Sequence, residues 1–359
     1  MNKNYYAVIM AGGVGSRFWP VSTQAFPKQF HDILGTGDTL IQTTYKRLNK
    51  LVPQENILVL TNSAYKTLVQ QQLPDLEENQ IVLEPAMRNT APCILLAALK
   101  IQEENPDALM MVAPSDHWIE DEKAFVENLQ MAYDACQRQD LLMTLGIKPT
   151  FPNTGYGYIQ YAEEGNTPIK PVVKFTEKPD YKTAQSFLEK GTYLWNAGIF
   201  IWSIKSITKA FEKHMTQLYT MFLEVKSALN TEKEESALLQ FYPQAENLSI
   251  DYAIMEKADN VCVIPANFDW NDLGSWGALH EQLPKDENNN VVMQAKPHLI
   301  NTKNTIVRTQ KDKVTIIDGL EDYIVVENKK VLLIFPQDKQ QEIKEIRSAI
   351  GQKYGEDLV

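Results

Sequence analysis

With 359 residues, 44% of them hydrophobic, the chain can bury a large core as one big domain plus an appendage or as two medium domains. Its net charge of −11 argues against a nucleic-acid partner, because binding a phosphate backbone takes a basic surface. The N-terminus has no charged region leading into a long apolar stretch, so neither a leader nor a membrane span is expected. Cys93, Cys136 and Cys262 are odd in number and lack metal-ligand spacing, and so read as reduced core residues of a cytoplasmic protein.

The first apolar run, Tyr6 to Met10, reads as a buried strand that feeds the loop AGGVGSRFWPVSTQAFPKQF, Ala11 to Phe30. Gly12, Gly13 and Gly15 allow a tight turn and bring bare N–H groups against an anion, while Arg17 and Lys28 supply cations downstream. A dinucleotide fingerprint counted from Gly13 would need a glycine where Phe18 stands, and a Walker A loop needs Gly-Lys-Ser/Thr. The loop reads as one built for a nucleoside triphosphate by another route, or else as a strand-to-loop turn with solvent-facing charges.

Further along, Ile57 to Thr61, Leu109 to Ala113, Leu141 to Gly146 and Val172 to Phe175 read as strands. Leu40 to Leu48, Ala64 to Leu73 and Thr90 to Ile101 read as helices, the last with Thr90 as its N-cap and Pro92 in its first turn. This alternation predicts an α/β fold, a mostly parallel sheet with helices on both faces and ligands beyond the strands' carboxyl ends. From Val291 onward the runs shorten: Thr305 to Arg308, Val314 to Ile317, Tyr323 to Glu327 and Lys330 to Phe335 are separated by Asn, Lys, Asp and Gly. The expected division is a catalytic domain over 1–285, a polar linker at Asp286 to Asn290, and a β-rich unit over 291–359 that closes with a helix carrying Ile343, Ile346 and Ile350 on one face.

Six motifs in order, the glycine loop, EPAMRNTAP (Glu84 to Pro92), APSDH (Ala113 to His117), FTEKP (Phe175 to Pro179), WNAGIF (Trp195 to Phe200) and DWNDLGSW (Asp269 to Trp276), resemble those of the mannose-1-phosphate guanylyltransferases within the nucleotide-sugar nucleotidyltransferases. The resemblance covers about the first 280 residues. It implies a Rossmann-like nucleotidyltransferase domain and a short left-handed β-helix after it, although no clean hexapeptide repeat is visible there. It also implies Mg²⁺ on Asp116 and Asp272, a pairing that no local spacing supports. Hard carboxylate oxygens of this kind suit that ion, which takes one or two carboxylates plus phosphate oxygens and waters.

The implied reaction is attack by a sugar-1-phosphate oxygen on the α-phosphorus of GTP. It needs alignment and charge neutralisation rather than a side-chain nucleophile. By resemblance, Arg17 grips the β- and γ-phosphates with the glycine amides, Lys28 meets the α-phosphate, and Lys178 binds the phosphate of the incoming sugar. Ser115 falls at the same strand end as Asp116. Glu84 is physically suited to guanine, whose N1–H and N2–H are adjacent donors that one carboxylate accepts. Arg88, Asn89 and Thr90 belong to the same segment and position base or phosphates, or else cap the following helix. Tyr156, Gly157, Glu177 and Asn196 match positions that contact hexose hydroxyls. His117 supports its neighbours rather than acting as a base, and Trp270 and Trp276 read as packing around Asp272.

The expected substrates are therefore GTP and mannose 1-phosphate. Glucose 1-phosphate with UTP or dTTP is the nearest enzymatic alternative, and a non-catalytic nucleotide-sugar sensor the other. Longer relatives carry a metal-dependent isomerase domain after the transferase. Only about 70 residues follow position 290 here, with His298 as their sole histidine, so that site is not expected. The C-terminal strands and helix are a candidate surface for pairing two copies.

Overall fold

Tyr5–Met10, six residues of which five are buried, forms the third strand in the order of a nine-stranded sheet. The coordinates are a computed structural model that describes residues 1–163 and 167–359. Strands β1 (Tyr5–Met10), β2 (Ile57–Asn62), β3 (Ile81–Glu84), β4 (Leu109–Pro114), β5 (Leu142–Ile147), β6 (Tyr158–Tyr161), β7 (Lys170–Thr176), β8 (Tyr193–Ser203) and β9 (Val261–Pro265) lie in the order β3-β2-β1-β4-β8-β5-β9-β7-β6. The expected parallel pairing holds for β3-β2-β1-β4 and for β5 with β9. The other half is mixed, because β8 runs antiparallel to β4, β5 and β6, and β7 antiparallel to β6 and β9.

The chain runs from β1 outward through β2 to β3 and then returns to place β4 on the other side of β1. The turns after β1 and β4 thus leave a topological switch point, where open α/β sheets bind ligands. Gly12 and Ser115 occupy those turns, and Glu84 ends β3 on the same carboxyl edge.

Packing divides the chain into two compact units: residues 1–12, 44–115 and 119–270, and residues 13–43, 116–118 and 271–359. The first contains the whole large sheet. Its core includes most of the helix Thr90–Glu104, where residues 91 to 101 are all buried. That helix starts at the residue expected to be its cap, and the cap lies one residue earlier. Asn89, at φ 64°, is the N-cap and accepts from the Thr90 N–H at 2.9 Å. The Thr90 hydroxyl instead accepts from the Ile250 N–H at 2.9 Å.

The second unit is built from three stretches distant in sequence. Phe18, Trp19, Val21, Ile33 and Leu40 from the first stretch share a core with Leu273, Trp276 and Leu279 and with Ile306, Ile324, Val326 and Ile343. Ile346 and Ile350 pack against the same core, as the amphipathic pattern requires.

Strands β10 (Val291–Met293), β12 (Ile306–Arg308) and β14 (Tyr323–Glu327) pair in parallel, with β15 (Leu332–Pro336) antiparallel at the edge. The strands β11 (Lys296–Ile300) and β13 (Val314–Asp318) form a second parallel pair. Val291 faces Ile306 and Ile306 faces Ile324, so one coil advances by 15 residues and the next by 18, and only the second is a whole number of hexapeptides.

Each coil turns at a left-handed corner. Asn289, Asn304 and Asp322 each stand two residues before those paired strand positions, at φ 62°, 45° and 62°. Asn and Asp tolerate this left-handed conformation better than other side chains that carry a Cβ. Their side chains also stack, Asn289 donating to Asn304 at 2.6 Å and Asn304 to Asp322.

Candidate functional site

In the second unit the glycine loop turns at Gly15, whose φ of 69° is left-handed and whose Cα lies against the Lys28 side chain. A methyl group there would overlap Lys28 Cβ, so only glycine fits. Gly13 has open space around it and faces no such demand. A single 3₁₀ turn, Ser16–Phe18, follows and leaves Arg17 exposed, 3.5 Å from the Gly274 carbonyl.

Lys28 is only 3% exposed, and its ammonium lies over the Phe18 ring, 5.2 Å from the centroid. Nζ donates to Asp116 Oδ2 at 2.8 Å and to the Asp272 carbonyl at 3.0 Å. Two of its three N–H groups are thus used and one remains for a ligand. The two carboxylate-bearing turns are themselves joined. Trp118 and Asn271 exchange backbone hydrogen bonds of 2.8 and 3.0 Å in an antiparallel bridge.

Burial would raise the Asp116 pKa, but the positive charges of Lys28 and His117 outweigh it and hold the carboxyl below its ordinary value. Asp272 Oδ1 accepts from the Gly274 N–H at 2.9 Å, and its carboxylate occupies the space that a side chain at position 274 would fill. Trp276 is buried against Phe18, with ring centroids 4.9 Å apart.

Asp116 and Asp272 are the two hard oxygen donors of this cluster, a donor set that suits a divalent cation completed by phosphate oxygens and water. Among the described residues no group of three or more His, Cys, Asp or Glu forms a self-sufficient metal cage.

In the first unit Glu84 is buried at the end of β3. One carboxylate oxygen accepts from the Tyr242 hydroxyl, and the other lies 3.5 Å from where a side chain on Gly12 would begin. Burial pushes its pKa up to about 7, partly opposed by the Tyr242 hydrogen bond. Arg88 donates to the Pro243 carbonyl, while its Nε is buried with no hydrogen-bond partner among the described residues. Ser115 is buried as well. Its N–H donates to the Met10 carbonyl at 3.1 Å, and its carbonyl accepts from Thr44 at 3.1 Å.

The second cluster of this unit surrounds Gly157. A side chain there would collide with Glu177 Oε2 and crowd Asn196 Cβ, so the missing Cβ leaves these two residues in place. Lys178, at φ 46°, folds its ammonium back onto Glu177, and its N–H donates to the Tyr156 carbonyl at 3.2 Å. The Tyr156 ring lies edge-on to Trp195 and Trp270, with centroids 5.1 and 5.4 Å away. Trp270 packs on Tyr156.

Asn196 sits where β8 bulges against β5, the register slipping between Thr144 and Gly146. Such bulges re-aim a side chain. Its Oδ1 accepts from the Gly198 N–H at 3.1 Å, which fixes the amide so that Nδ2 donates to Asp251 Oδ1 at 2.9 Å. Burial, with the negative charge of Glu177, raises the Asp251 pKa to about 6.

Each unit therefore gathers one part of the expected set. Arg17, Lys28, Asp116 and Asp272 lie together in the second unit; Glu84 with Arg88, and Gly157 with Glu177, Lys178 and Asn196, lie in the first. Tyr242 and Asp251 escaped the sequence reading. The only available signal for Asp251 was a carboxylate in an otherwise apolar turn, SIDYAIM. That turn forms a π-helix over Asp251–Met255, a rare form frequent at functional positions. For Tyr242 there was no local signal, because an aromatic residue beside proline reads as core.

Comparison with known proteins gives a consistent picture. Residues 6–289 match the family described as nucleotidyl transferase, and residues 298–348 match the mannose-phosphate isomerase/GMP-like β-helix domain. The alginate biosynthesis protein AlgA of Pseudomonas aeruginosa is 37% identical over 94% of this chain and 70% of its own length. A mannose-1-phosphate guanylyltransferase of Klebsiella pneumoniae is 36% identical over 94% and 72%. Among solved structures, one described as a mannose-1-phosphate geranyltransferase from Thermus thermophilus superposes with a TM-score of 0.87 at 29% identity, covering 97% of this chain and 99% of its own.

Proposed function

This chain belongs to the nucleotidyl transferase family, and from that premise we propose that it transfers GMP from GTP to α-D-mannose 1-phosphate, giving GDP-mannose and pyrophosphate. The observation that carries the chemistry is the buried Lys28 ammonium, tied to Asp116 and to the Asp272 main chain with one N–H to spare. A phosphate oxygen of the sugar attacks the α-phosphorus, the bond to pyrophosphate breaks, and negative charge grows on the α-phosphoryl oxygens. Lys28 is the donor for that charge, held rigid beforehand so that no reorganisation is needed during the reaction.

Arg17, exposed at the loop's first turn, takes the β- and γ-phosphates together with main-chain groups of Gly12, Gly13 and Gly15. Lys178 takes the sugar phosphate, exchanging its Glu177 partner for the ligand. Glu84 reads guanine, with Arg88, Asn89, Thr90 and Ser115 shaping the strand ends around it. Tyr156, Gly157, Glu177 and Asn196 read the hexose. The metal we assign is Mg²⁺, held by Asp116 and Asp272; when bound it neutralises phosphate charge and orders the phosphate oxygens. The compartment we propose for it is the cytoplasm. No helix among the described residues is long and apolar enough to cross a membrane.

Pyrophosphate release, measured with each nucleoside triphosphate against mannose 1-phosphate and glucose 1-phosphate in the presence of Mg²⁺, tests the reading. Release confined to GTP with mannose 1-phosphate is the expected result. Release with another pair overturns the base assignment, and no release with any pair overturns the activity.

A further inference from the structure

We infer that the short turn Tyr242–Gln244 is the positioning element of the base site, with the Tyr242 hydroxyl holding the Glu84 carboxylate in the orientation that reads guanine. The inference rests on the proposal that Glu84 is the guanine reader.

Two side chains of the EPAMRNTAP motif, both expected near the base, converge on this one turn from over 150 residues away in sequence. Glu84 accepts from the Tyr242 hydroxyl, and Arg88 donates to the carbonyl of Pro243, the next residue. The turn is anchored apart from them, since the Tyr242 ring is fully buried and meets Phe222 edge-on, with centroids 5.9 Å apart. A phenol donates one hydrogen bond, and here it goes to one carboxylate oxygen. This stops the carboxylate from spinning and directs its second oxygen toward the Gly12 side.

Guanine needs both carboxylate oxygens in one plane, aligned with N1–H and N2–H. A carboxylate free to rotate would satisfy one donor of many bases, whereas a clamped one satisfies the pair that only guanine presents. The other groups facing Glu84 and Tyr242 are the Cys93 thiol, whose pKa burial drives well up, and the Arg88 guanidinium. Glu84 is therefore the member of this cluster that titrates near neutrality. Because the phenol donates to the ionised carboxylate, it also favours the charged form that guanine requires.

Tyr242→Phe keeps the ring and removes only the hydroxyl. The experiment measures kcat and KM for GTP and for ITP, which lacks the N2 amine, in wild type, Tyr242→Phe and Glu84→Gln between pH 5.5 and 8.5. In Tyr242→Phe the preference for GTP over ITP is expected to fall about tenfold, the size of one hydrogen bond to a charged group. The pH below which KM for GTP rises is expected to move up by about one unit, with kcat at high pH little changed.

A wild-type profile from Tyr242→Phe, with Glu84→Gln strongly altered, overturns the positioning role and leaves Glu84 as reader. Unchanged selectivity in Glu84→Gln overturns the base assignment itself. Should Tyr242→Phe not fold, the tyrosine ultraviolet difference spectrum of the wild type on lowering pH decides. A band change absent from Glu84→Gln and coincident with the rise in KM supports the contact, and its absence rejects it.

Discussion

The two units are built by opposite means. The first is a sheet whose strands and helices alternate along the chain, so neighbours in sequence become neighbours in space, and its candidate residues are hydrogen-bonding readers of shape: Glu84, Asn196, Glu177 and Asp251. The second is assembled from residues 13–43, 116–118 and 271–359, and its candidate residues are charges: Arg17, Lys28, Asp116 and Asp272. A large regular sheet offers many strand ends on which polar pairs can be fixed by bulges and turns. Charges that must be held close together are fixed instead by loops tied to one another, as the Trp118–Asn271 bridge ties the two aspartate turns. The roles we propose divide the same way, with rate assigned to the second unit and choice of substrate to the first.

The strongest attempt to break that comparison is substitution in the second unit. Asp272→Asn and Lys28→Gln are expected to lower kcat by about 100-fold or more, the range for removing one preorganised group at developing charge, with KM for both substrates changed far less. Steady-state kinetics with both substrates varied would show it, and a change confined to KM would erase the distinction between units. Gly15→Ala tests the loop rather than its charges. A left-handed φ and a methyl group driven into Lys28 should cost about 2–4 kcal/mol in denaturant unfolding and remove most activity with it.

In the first unit the expectation is reversed. Lys178→Ala and Asp251→Asn should each raise KM for mannose 1-phosphate about tenfold while leaving KM for GTP near wild type. Equal effects on both substrates would remove either residue from the sugar cluster. Asp251 carries a further signature: its pKa is raised to about 6, so KM for the sugar phosphate should climb as pH falls through that value, and Asp251→Asn should flatten the climb.

Glu84 gives a smaller effect, read in stability. Its folded-state pKa of about 7 lies above the usual carboxyl value of 4.5, so between these the folded state binds more protons than the unfolded one. Stability from this group is then fully present below the unfolded value and is lost as pH rises through about 7. Glu84→Gln should therefore gain stability relative to wild type as pH rises from about 5 to 8, measured by urea unfolding at each pH. The smallest change is expected at the β-helix corner. Asn304→Gly relieves the left-handed backbone but loses the ladder to Asn289 and Asp322, for a net cost of about 1 kcal/mol or less.

Much of the first unit was legible because burial and periodicity are local properties. The runs Tyr6 to Met10, Ile57 to Thr61 and Leu109 to Ala113 read as strands because a strand buried on both faces has to be apolar throughout, and each lies within one residue of the observed element. The helix Leu40–Leu48 was readable to the residue, whereas the cap at Asn89 was assigned one residue late. Asn89 caps from a left-handed conformation, and Thr90, the more usual capping type in that position, is drawn to Ile250 from another part of the chain.

In the β-rich unit the corners were in the sequence as Asn-Asn-Val-Val, Asn-Thr-Ile-Val and Asp-Tyr-Ile-Val, at positions 289, 304 and 322. The unequal spacing of 15 and 18 residues concealed them.

What the sequence determined by itself was the alternation of elements, the motifs and the kinds of side chain available for phosphate, base and sugar, since each depends on residues close together in the chain. Tertiary structure alone decided which of those side chains meet. Lys28 finds Asp116 and the Asp272 main chain, Tyr242 finds Glu84, and Asp251 finds Asn196, across 88, 244, 158 and 55 residues. A hydrogen bond or ion pair needs its partners within about 3 Å, and only the packed core, which brings distant segments together and excludes water from between them, sets distances on that scale.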